Sequence, residues 1–165
     1  MVPWVIYTHL DTESLLEEAK CQEISKCPTI IQYFSMANER FKFNLDSTCY
    51  WRGLVYHNVY NETRAPAGST FSSNRSGYYN WHRDEKFDKL GPHRKISFVM
   101  QLTDPNEYKG GDFEFDSDVI SPEPSLLKPK GTIIVFPSYI KHRAAPVTKG
   151  RRESLAAWVE GPGFK

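Results

Sequence analysis

The segment that decides the fold is Gly131-Thr132-Ile133-Ile134-Val135-Phe136-Pro137, in which five strand-forming residues lie between two turn residues. β-Branched and aromatic side chains favour extended backbone, and a glycine or proline on either side marks where such a run begins and ends. The run is apolar at four consecutive positions, which is typical of a strand covered on both faces. The segment therefore predicts a central β-strand over residues 132–136.

Similar short segments surround this strand in the second half of the chain. Residues 96–102 form an apolar run, residues 113–115 follow the Gly110-Gly111 pair, and residues 154–159 are closed by Gly161-Pro162-Gly163. No helical pattern lies between these segments, which disfavours a parallel α/β sheet. Several short strands with turn signals between them favour a sandwich or barrel of antiparallel strands. The predicted fold class is mainly β.

The N-terminal part of the chain predicts one helix. Asp11 or Thr12 can cap it, and apolar residues fall near one face from there to about Ser25. Pro28 follows shortly afterwards and is interpreted as the stop. This helix is expected to pack outside the β-structure.

The domain organisation is predicted to be a single domain over residues 1–165. Residues 1–60 supply the helix and supporting strands, because residues 41–60 alternate loosely between apolar and polar. Residues 61–77 are rich in Gly, Ser, Asn and Pro and predict a long loop, of the kind that orders as a lid over a bound ligand. Residues 78–160 carry the motifs described below and are predicted to form the functional core.

Composition narrows the possible partners and location. The chain has 39% hydrophobic and 25% charged residues and a net charge of +1, which indicates a globular domain and disfavours nucleic-acid binding. No apolar run approaches the roughly 20 residues that span a bilayer, so no membrane partner is expected. The chain has three cysteines but no CxxC pair, and its N-terminus lacks a signal pattern. Both observations predict a reducing, cytoplasmic location.

The chemistry is indicated first by His82-Arg83-Asp84. Residues i and i+2 of a strand project from the same face, so this imidazole and this carboxylate can hold one ion together. His142 follows the strand 132–136 by a short turn and is the best candidate for a third ligand. Two histidines and one carboxylate leave coordination positions open, which is typical of non-haem Fe(II) oxygenases. Zinc enzymes use the same ligands, so the ligand set alone does not choose the metal.

A second charged residue follows the third ligand. Arg152 lies ten residues after His142, and Ser154 shares its face of the next strand. A guanidinium can clamp a carboxylate with two hydrogen bonds, and a nearby hydroxyl can add a third. The alternative is a surface arginine in a basic run that also includes Lys149 and Arg151.

The ordered set of His-x-Asp, a distant His and an Arg about ten residues later resembles the Fe(II)/2-oxoglutarate oxygenases. Residues 79–160 resemble the prolyl 4-hydroxylase-type branch of that superfamily in particular. Four stretches carry the resemblance and together span about half of the chain: YNWHRD at 79–84, LTDPNEYKGGDF at 102–113, GTIIVFPS at 131–138 and HRAAPVTKGRR at 142–152.

The resemblance implies a double-stranded β-helix, or jelly-roll, with Fe(II) held by His82, Asp84 and His142. It also implies 2-oxoglutarate as co-substrate, with its distal carboxylate on Arg152 and Ser154, and O₂ as the oxidant; ascorbate is an additional candidate cofactor. Tyr79 matches a family tyrosine that lines the co-substrate pocket, which requires a bend between residues 79 and 82. Gln101 stands where some relatives place a tyrosine that contacts the same carboxylate, and it is a candidate for that contact or for core packing.

The substrate implied by the resemblance is a peptidyl proline, hydroxylated at a C–H bond with release of succinate and CO₂. Tyr78, Tyr79 and Trp81 can wall a groove for a proline-containing peptide, or can simply pack at the mouth of the barrel. Three alternatives remain open: the same chemistry on nucleic acid, the same chemistry on a small molecule, and a non-catalytic metal-binding jelly-roll. The sequence does not indicate an oligomeric state.

Overall fold

The larger of two antiparallel sheets forms the centre of the molecule. The computed structural model describes residues 2–45, 53–62, 77–85 and 93–162. The sheet has the strand order β1-β7-β4-β9-β2, with β5 also paired to β9. Its strands are β1 (Val5–Thr8), β2 (Val55–Asn61), β4 (His93–Gln101), β5 (Tyr108–Gly110), β7 (Thr132–Pro137) and β9 (Val147–Gly161). The predicted strands at 96–102, 132–136 and 154–159 thus correspond to its three inner strands.

The smaller sheet has three strands in the order β3-β8-β6. These strands are β3 (Tyr79–His82), β8 (His142–Ala144) and β6 (Phe113–Phe115). The sheet faces β7 of the larger sheet: the Phe136 ring packs edge-on against Phe115 at 5.1 Å and is tilted against Phe113 at 5.5 Å. Two curled antiparallel sheets packed in this way confirm the predicted mainly β, jelly-roll fold class.

Side chains on the two faces of the larger sheet have different roles. Along β4, Ile96, Phe98 and Met100 join the main hydrophobic core with the helices, whereas Ser97 and Gln101 project from the opposite face. This division follows from the two-residue period of a strand. The side that carries Ser97 faces the smaller sheet.

Two helices cover the outer face of the larger sheet: α1 (Thr12–Ala19) and α2 (Pro28–Phe41). The prediction of an N-terminal helix packed outside the sheets is confirmed, and Asp11 caps it as predicted, but its predicted C-terminal end was wrong. The helix ends at Ala19 rather than near Ser25, and a 3-10 turn over Ile24–Lys26 follows it. Pro28 begins α2 instead of stopping a helix, because a proline at the first helical position lacks only an N–H that would be unpaired there anyway.

In the described ranges the chain also forms a short helix, α3 (Pro124–Leu127), and a 3-10 turn over Pro105–Glu107. Most of the predicted loop at 61–77, and with it the predicted lid, lies outside the described residues. The predicted single domain and its division at residue 60 stay predictions. Within the described ranges, no helix combines the length and the apolar character that crossing a bilayer requires.

Candidate metal centre

Three candidate metal ligands converge at the mouth between the two sheets. His82 ends β3, His142 begins β8, and the two residues are direct partners across this antiparallel pair. Asp84 Oδ1 lies 3.2 Å from His82 Nε2 and 3.5 Å from His142 Nε2. One potential ligand atom from each residue lies within 4.8 Å of the other two. The structure therefore brings together the three side chains that the sequence pattern singled out.

Both imidazoles are oriented by backbone carbonyls two residues earlier in the chain. Nδ1 of His82 lies 2.6 Å from the carbonyl oxygen of Asn80, and Nδ1 of His142 lies 2.9 Å from that of Ile140. A carbonyl only accepts, so each Nδ1 carries the proton and donates it. This tautomer leaves the lone pair of each Nε2 directed at the centre of the cluster, the arrangement that metal-binding histidines use.

The third candidate ligand, Asp84, is buried and held by two serines. Its Oδ2 accepts a 2.7 Å hydrogen bond from Ser97 Oγ, which lies 2.8 Å from Ser138 Oγ, and its backbone N–H donates to the Ser138 carbonyl. Burial by itself raises the pKa of Asp84, but the contact with His82, the charge of His142 and the Ser97 hydroxyl outweigh it. The net pKa lies well below its usual value, so Asp84 is ionised and can bind a cation.

His142 is enclosed by aromatic rings. Its ring stacks on Phe113 at 5.4 Å and meets Phe136 at 4.8 Å. Burial lowers the pKa of His142, Asp84 raises it and His82 lowers it, and the net shift is downward. The imidazole is therefore neutral near pH 7, which is the form that binds a metal.

These three side chains fit a divalent metal ion. Two imidazoles and an ionised carboxylate, with one potential ligand atom of each close to the other two, are a suitable donor set for Fe(II) or Zn(II). All three line a cavity of about 360 Å³ that extends between the sheets, so a metal at this point would have open positions facing that space. The same cavity is lined at a second place by Arg152 and Ser154.

Arg152 is buried without a counter-charge. Only 1% of its surface is exposed, and among the described residues no carboxylate lies within ion-pair distance of it. Its Nε donates a 3.0 Å hydrogen bond to Gln101 Oε1, while the buried Nη1 has no partner in the described ranges. A buried, unpaired cation is costly to a protein. An anionic ligand in the cavity would pair with the guanidinium and offset this cost.

The geometry around Arg152 is also set by a glycine. Gly111 has φ of +68°, and a Cβ there would lie 3.1 Å from Arg152 Cδ. Glycine both adopts this backbone conformation at low cost and leaves room for the arginine stem. The Gly110-Gly111 pair, interpreted above only as a turn signal, therefore also positions the buried guanidinium.

The structure places Tyr79 and Ser154, both expected at the co-substrate site, around the same cavity. The register between β3 and β8 shifts between Tyr79 and His82, which supplies the required bend, and the two rings are 3.8 Å apart at their centroids. Tyr79 and Ser154 both line the cavity. Gln101 is bonded to Arg152 through its carbonyl oxygen. The roles of all three toward a co-substrate stay predictions.

Two tyrosines near Arg152 were not found by the sequence analysis. Tyr60 of β2 is the direct strand partner of Arg152, and its ring centroid lies 5.0 Å from the guanidinium carbon. Tyr108 of β5 lies beside Gly111. Burial raises the pKa of Tyr108, and the charge of Arg152 lowers that pKa by a smaller amount. Tyr60 lies outside the four stretches that carry the resemblance. Tyr108 lies within the stretch at 102–113, but nothing in that stretch indicates its proximity to Arg152, which depends on strand register.

The other aromatic residues proposed for a substrate groove have other surroundings. Tyr78 is buried, and the half-exposed Trp81 lies under the Arg143 guanidinium at 4.7 Å. Neither is among the residues that line the cavity. The aromatic residues that do line the cavity, such as Tyr60, Phe113 and Trp158, lie on strands of the two sheets. The full lining comprises Tyr56, Asn58, Tyr60, Tyr79, His82, Arg83, Asp84, Arg94, Val99, Phe113, His142, Ala144, Arg152, Ser154, Ala156 and Trp158.

Three basic side chains near the C-terminal strands are paired with carboxylates. Lys141 pairs with Asp116 at 3.1 Å, and Arg151 pairs with Glu153 at the same distance. Arg143 pairs with Glu114 at 2.7 Å. Paired basic side chains offer little of the excess positive potential that nucleic-acid binding requires.

Comparison with known proteins places this site in a family. Residues 69–160 match the family model described as the 2OG-Fe(II) oxygenase superfamily, and this match covers more than half of the chain. The chain belongs to the 2OG-Fe(II) oxygenase superfamily. All three candidate metal ligands, Arg152 and Ser154 lie within the matched region.

Curated relatives share about one third of their residues with this chain over the matched region. A PKHD-type hydroxylase of Synechococcus sp. (strain CC9311) is 37% identical over 86 residues, which is 52% of this chain and 38% of that protein. A second, from strain CC9902, is 34% identical over 82 residues, which is 50% of this chain and 36% of that protein. The matches thus cover well under half the length of these relatives.

Solved structures with the same fold include two prolyl hydroxylases. A prolyl-4-hydroxylase of Pseudomonas putida superposes with a TM-score of 0.61 at 18% identity, over 98% of this chain and 90% of that one. The viral collagen prolyl hydroxylase of Paramecium Bursaria Chlorella virus-1 gives 0.55 at 17% identity, over 97% and 79%. These likenesses show the fold, and they confirm the jelly-roll expected from the resemblance.

Proposed function

We propose that this chain is an Fe(II)- and 2-oxoglutarate-dependent dioxygenase that hydroxylates a C–H bond of a peptidyl proline. The observation that carries the proposal is one cavity lined both by a two-histidine, one-carboxylate cluster and by a buried arginine without a counter-charge. The first feature suits a ferrous ion and the second suits the far carboxylate of a dicarboxylic acid. Membership of the superfamily supports the pairing.

In this proposal His82, Asp84 and His142 hold the iron, and Arg152 with Ser154 holds the distal carboxylate of 2-oxoglutarate. When bound, the iron and 2-oxoglutarate supply the O₂ chemistry that yields succinate, CO₂ and one hydroxyl group on the substrate. Ascorbate is a further candidate cofactor. The protein's own contribution is to fix positions: Asn80 and Ile140 orient the two imidazoles, and Ser97 orients Asp84.

Water exclusion is a second contribution of the protein. Phe113 and Phe136 cover His142, and the Tyr79 ring covers His82. Apolar rings around the ligands limit access to the metal to the cavity itself. A substrate C–H bond would therefore have to enter through that cavity.

The choice of a peptidyl proline as substrate rests on two supports. The matched relatives are PKHD-type hydroxylases, and structures of the same fold are prolyl hydroxylases. In addition, Tyr56 and Trp158 line the cavity in an edge-to-face pair, with rings 5.4 Å apart. Aromatic surfaces of this kind suit the extended, preformed backbone of proline-containing peptides. The cytoplasmic location stays a prediction.

The cofactor pair is tested by adding Fe(II) and then 2-oxoglutarate without oxygen. We expect a weak visible charge-transfer band in the wild type and in a His57→Ala control, because His57 is an exposed histidine of β2 paired with Glu153. His82→Ala should lack the band. A band that persists in His82→Ala would refute the assigned ligand set.

The substrate class is tested separately, with short proline-containing peptides and oxygen. We expect the peptide to gain the mass of one oxygen atom while succinate accumulates, and we expect neither when alanine replaces the proline. Equal oxidation of the alanine peptide would reject a prolyl substrate and leave the cofactor assignment intact. Oxidation of single-stranded nucleic acid in the same assay would favour the nucleic-acid alternative.

A further inference from the structure

Two of the three cysteines flank the connection between α1 and α2. Cys21 lies two residues after Ala19, the last residue of α1, and Cys27 directly precedes Pro28, the first residue of α2. Both are free thiols, and Cys49 lies outside the described residues. A bond between Cys21 and Cys27 would join the end of one helix to the start of the next.

The two sulfur atoms lie against the same backbone carbonyl. Sγ of Cys21 donates to the carbonyl oxygen of Glu18 at 2.9 Å, and Sγ of Cys27 donates to the same oxygen at 3.5 Å. The two thiols are also within hydrogen-bonding distance of each other. Such a pair has only a short distance to close before the sulfurs reach the S–S bond length of about 2.05 Å.

The two thiols differ in access to solvent. Cys21 is exposed, whereas Cys27 is completely buried. Burial, together with the neighbouring Cys21 and Glu18, raises the pKa of the Cys27 thiol to about 12. A buried, protonated thiol does not react with an oxidant in solution. Cys21 is therefore the thiol that an oxidant meets first, and Cys27 is placed to react with Cys21 afterwards.

The chain between the two cysteines is also tied to the start of β2. The Val55 N–H donates to the Gln22 carbonyl at 2.8 Å, and the Ile24 N–H donates to the Gly53 carbonyl at 3.0 Å. A disulfide would enclose residues 22–26 in a covalent loop and so restrain this junction. Residues further along β2 line the cavity, but neither cysteine does. The pair is therefore separate from the candidate metal centre.

We infer that Cys21 and Cys27 form a modification site, at which a low-molecular-weight disulfide such as oxidised glutathione produces a reversible intrachain disulfide. The Cys21 thiolate attacks one sulfur of the oxidant and releases one glutathione. Cys27 then attacks the Cys21 sulfur, and its proton passes to the second departing glutathione. The two cysteines are thus oxidised together by two electrons, and oxidised glutathione is reduced to two molecules of glutathione. In a reducing compartment the pair stays open and closes only under oxidising conditions.

The test treats the folded, full chain with oxidised glutathione and then measures the mass of the protein. We expect the wild type to lose the mass of two hydrogen atoms, and a proteolytic fragment to link Cys21 with Cys27. Cys27→Ser should instead gain one glutathione on Cys21, because the second thiol is missing. Cys21→Ser should leave Cys27 unmodified, because that thiol is buried. Cys49→Ser is the matched control and should form the same disulfide as the wild type.

Thermal unfolding provides a second measurement. A disulfide that closes so short a loop should raise the melting temperature of the oxidised wild type by about 5–10 °C over the reduced protein, and dithiothreitol should reverse the rise. The oxidised and reduced forms of Cys27→Ser should melt within about 2 °C of each other, since no loop is closed. The melting temperature of each reduced variant shows whether it has folded.

Three results would overturn the inference. The first is a wild type that retains both thiols after oxidation, and the second is a wild type that accumulates the same glutathione adduct as Cys27→Ser. The third is a disulfide that involves Cys49 or links two chains. None of these results bears on the metal ligands or on Arg152, so the proposed function stands or falls separately.

Discussion

The hydroxyl of Ser97 donates a 2.7 Å hydrogen bond to Oδ2 of Asp84, the carboxylate oxygen that does not face the two histidines. Ser97 is fully buried on β4. Its side chain lies on the face of the larger sheet that is directed toward the candidate metal centre. The bond holds the carboxylate so that Oδ1 remains directed at His82 and His142. Ser97 would therefore act on a bound metal through the orientation of the candidate ligand Asp84.

We predict that Ser97→Ala weakens Mn(II) or Fe(II) binding by about 10- to 100-fold, the usual effect of removing a group that orients a metal ligand. The variant also removes the partner of the Ser138 hydroxyl, so about 1 kcal/mol of stability should be lost as well. Isothermal titration with Mn(II) measures the first effect and urea unfolding the second. Ser117→Ala, at an exposed serine, is the control; equal metal affinity in Ser97→Ala and this control would contradict the assigned role.

Metal binding should stabilise the fold, because the three ligands converge only in the folded chain. An ion at about 100 times its dissociation constant adds about 2.7 kcal/mol to the free energy of unfolding. For a chain of this size we expect a rise in melting temperature of about 5–10 °C with Mn(II). His142→Ala should abolish the rise, whereas His57→Ala should retain it. A similar rise in His142→Ala would locate the bound metal elsewhere.

The metal-free protein should lose stability in acid through His142. Burial lowers the pKa of this imidazole from its ordinary value of 6.5, Asp84 raises it and His82 lowers it. Because the unfolded chain then takes up the proton more readily, the contribution of His142 is fully present above pH 6.5 and is lost as the pH falls toward the lower pKa of the folded state. The loss is at most about 1.4 kcal/mol per pH unit.

Urea unfolding of the metal-free wild type and of His142→Asn, at about pH 7.5 and about pH 5.5, isolates this contribution. Because the other histidines are present in both proteins, their contributions to the change in stability with pH cancel in the comparison. We expect the wild type to lose more stability over this range than the variant. The same loss in both proteins would show that His142 does not carry the effect.

The candidate metal ligands and Arg152 could be singled out from the sequence because each belongs to a short motif whose residue types indicate their chemistry. His82 and Asp84 are two residues apart on one strand, and strand period alone places them on one face. His142 follows the predicted strand 132–136, which Pro137 ends, and Arg152 lies just before the predicted strand 154–159. The structure brings these side chains to one cavity, as the pattern predicted.

Tyr60 could not be found in this way. Its place beside Arg152 is created by the pairing of β2 with β9, in which residue 60 faces residue 152. A shift of one residue in that register would turn Tyr60 away from the cavity. Ser97 did leave a signal: a polar residue inside the apolar run at 96–102 indicates a buried hydrogen bond. The wrong stop at Pro28 arose because proline both follows helices and begins them.

The last prediction concerns the buried charge of Arg152. Arg152→Gln should raise the dissociation constant of 2-oxoglutarate by about 10- to 150-fold, since a charge-assisted contact is worth about 1.5–3 kcal/mol. Without ligand, the same change should cost little stability, because it also removes a buried cation that has no carboxylate partner in the described part of the chain. Arg151→Gln is the matched control: its guanidinium is exposed and pairs with Glu153. We expect Arg151→Gln to leave co-substrate affinity within about twofold, the level expected of an exposed ion pair. Equal losses in the two variants would mean that the basic run attracts 2-oxoglutarate by charge alone, and the buried clamp would then be rejected.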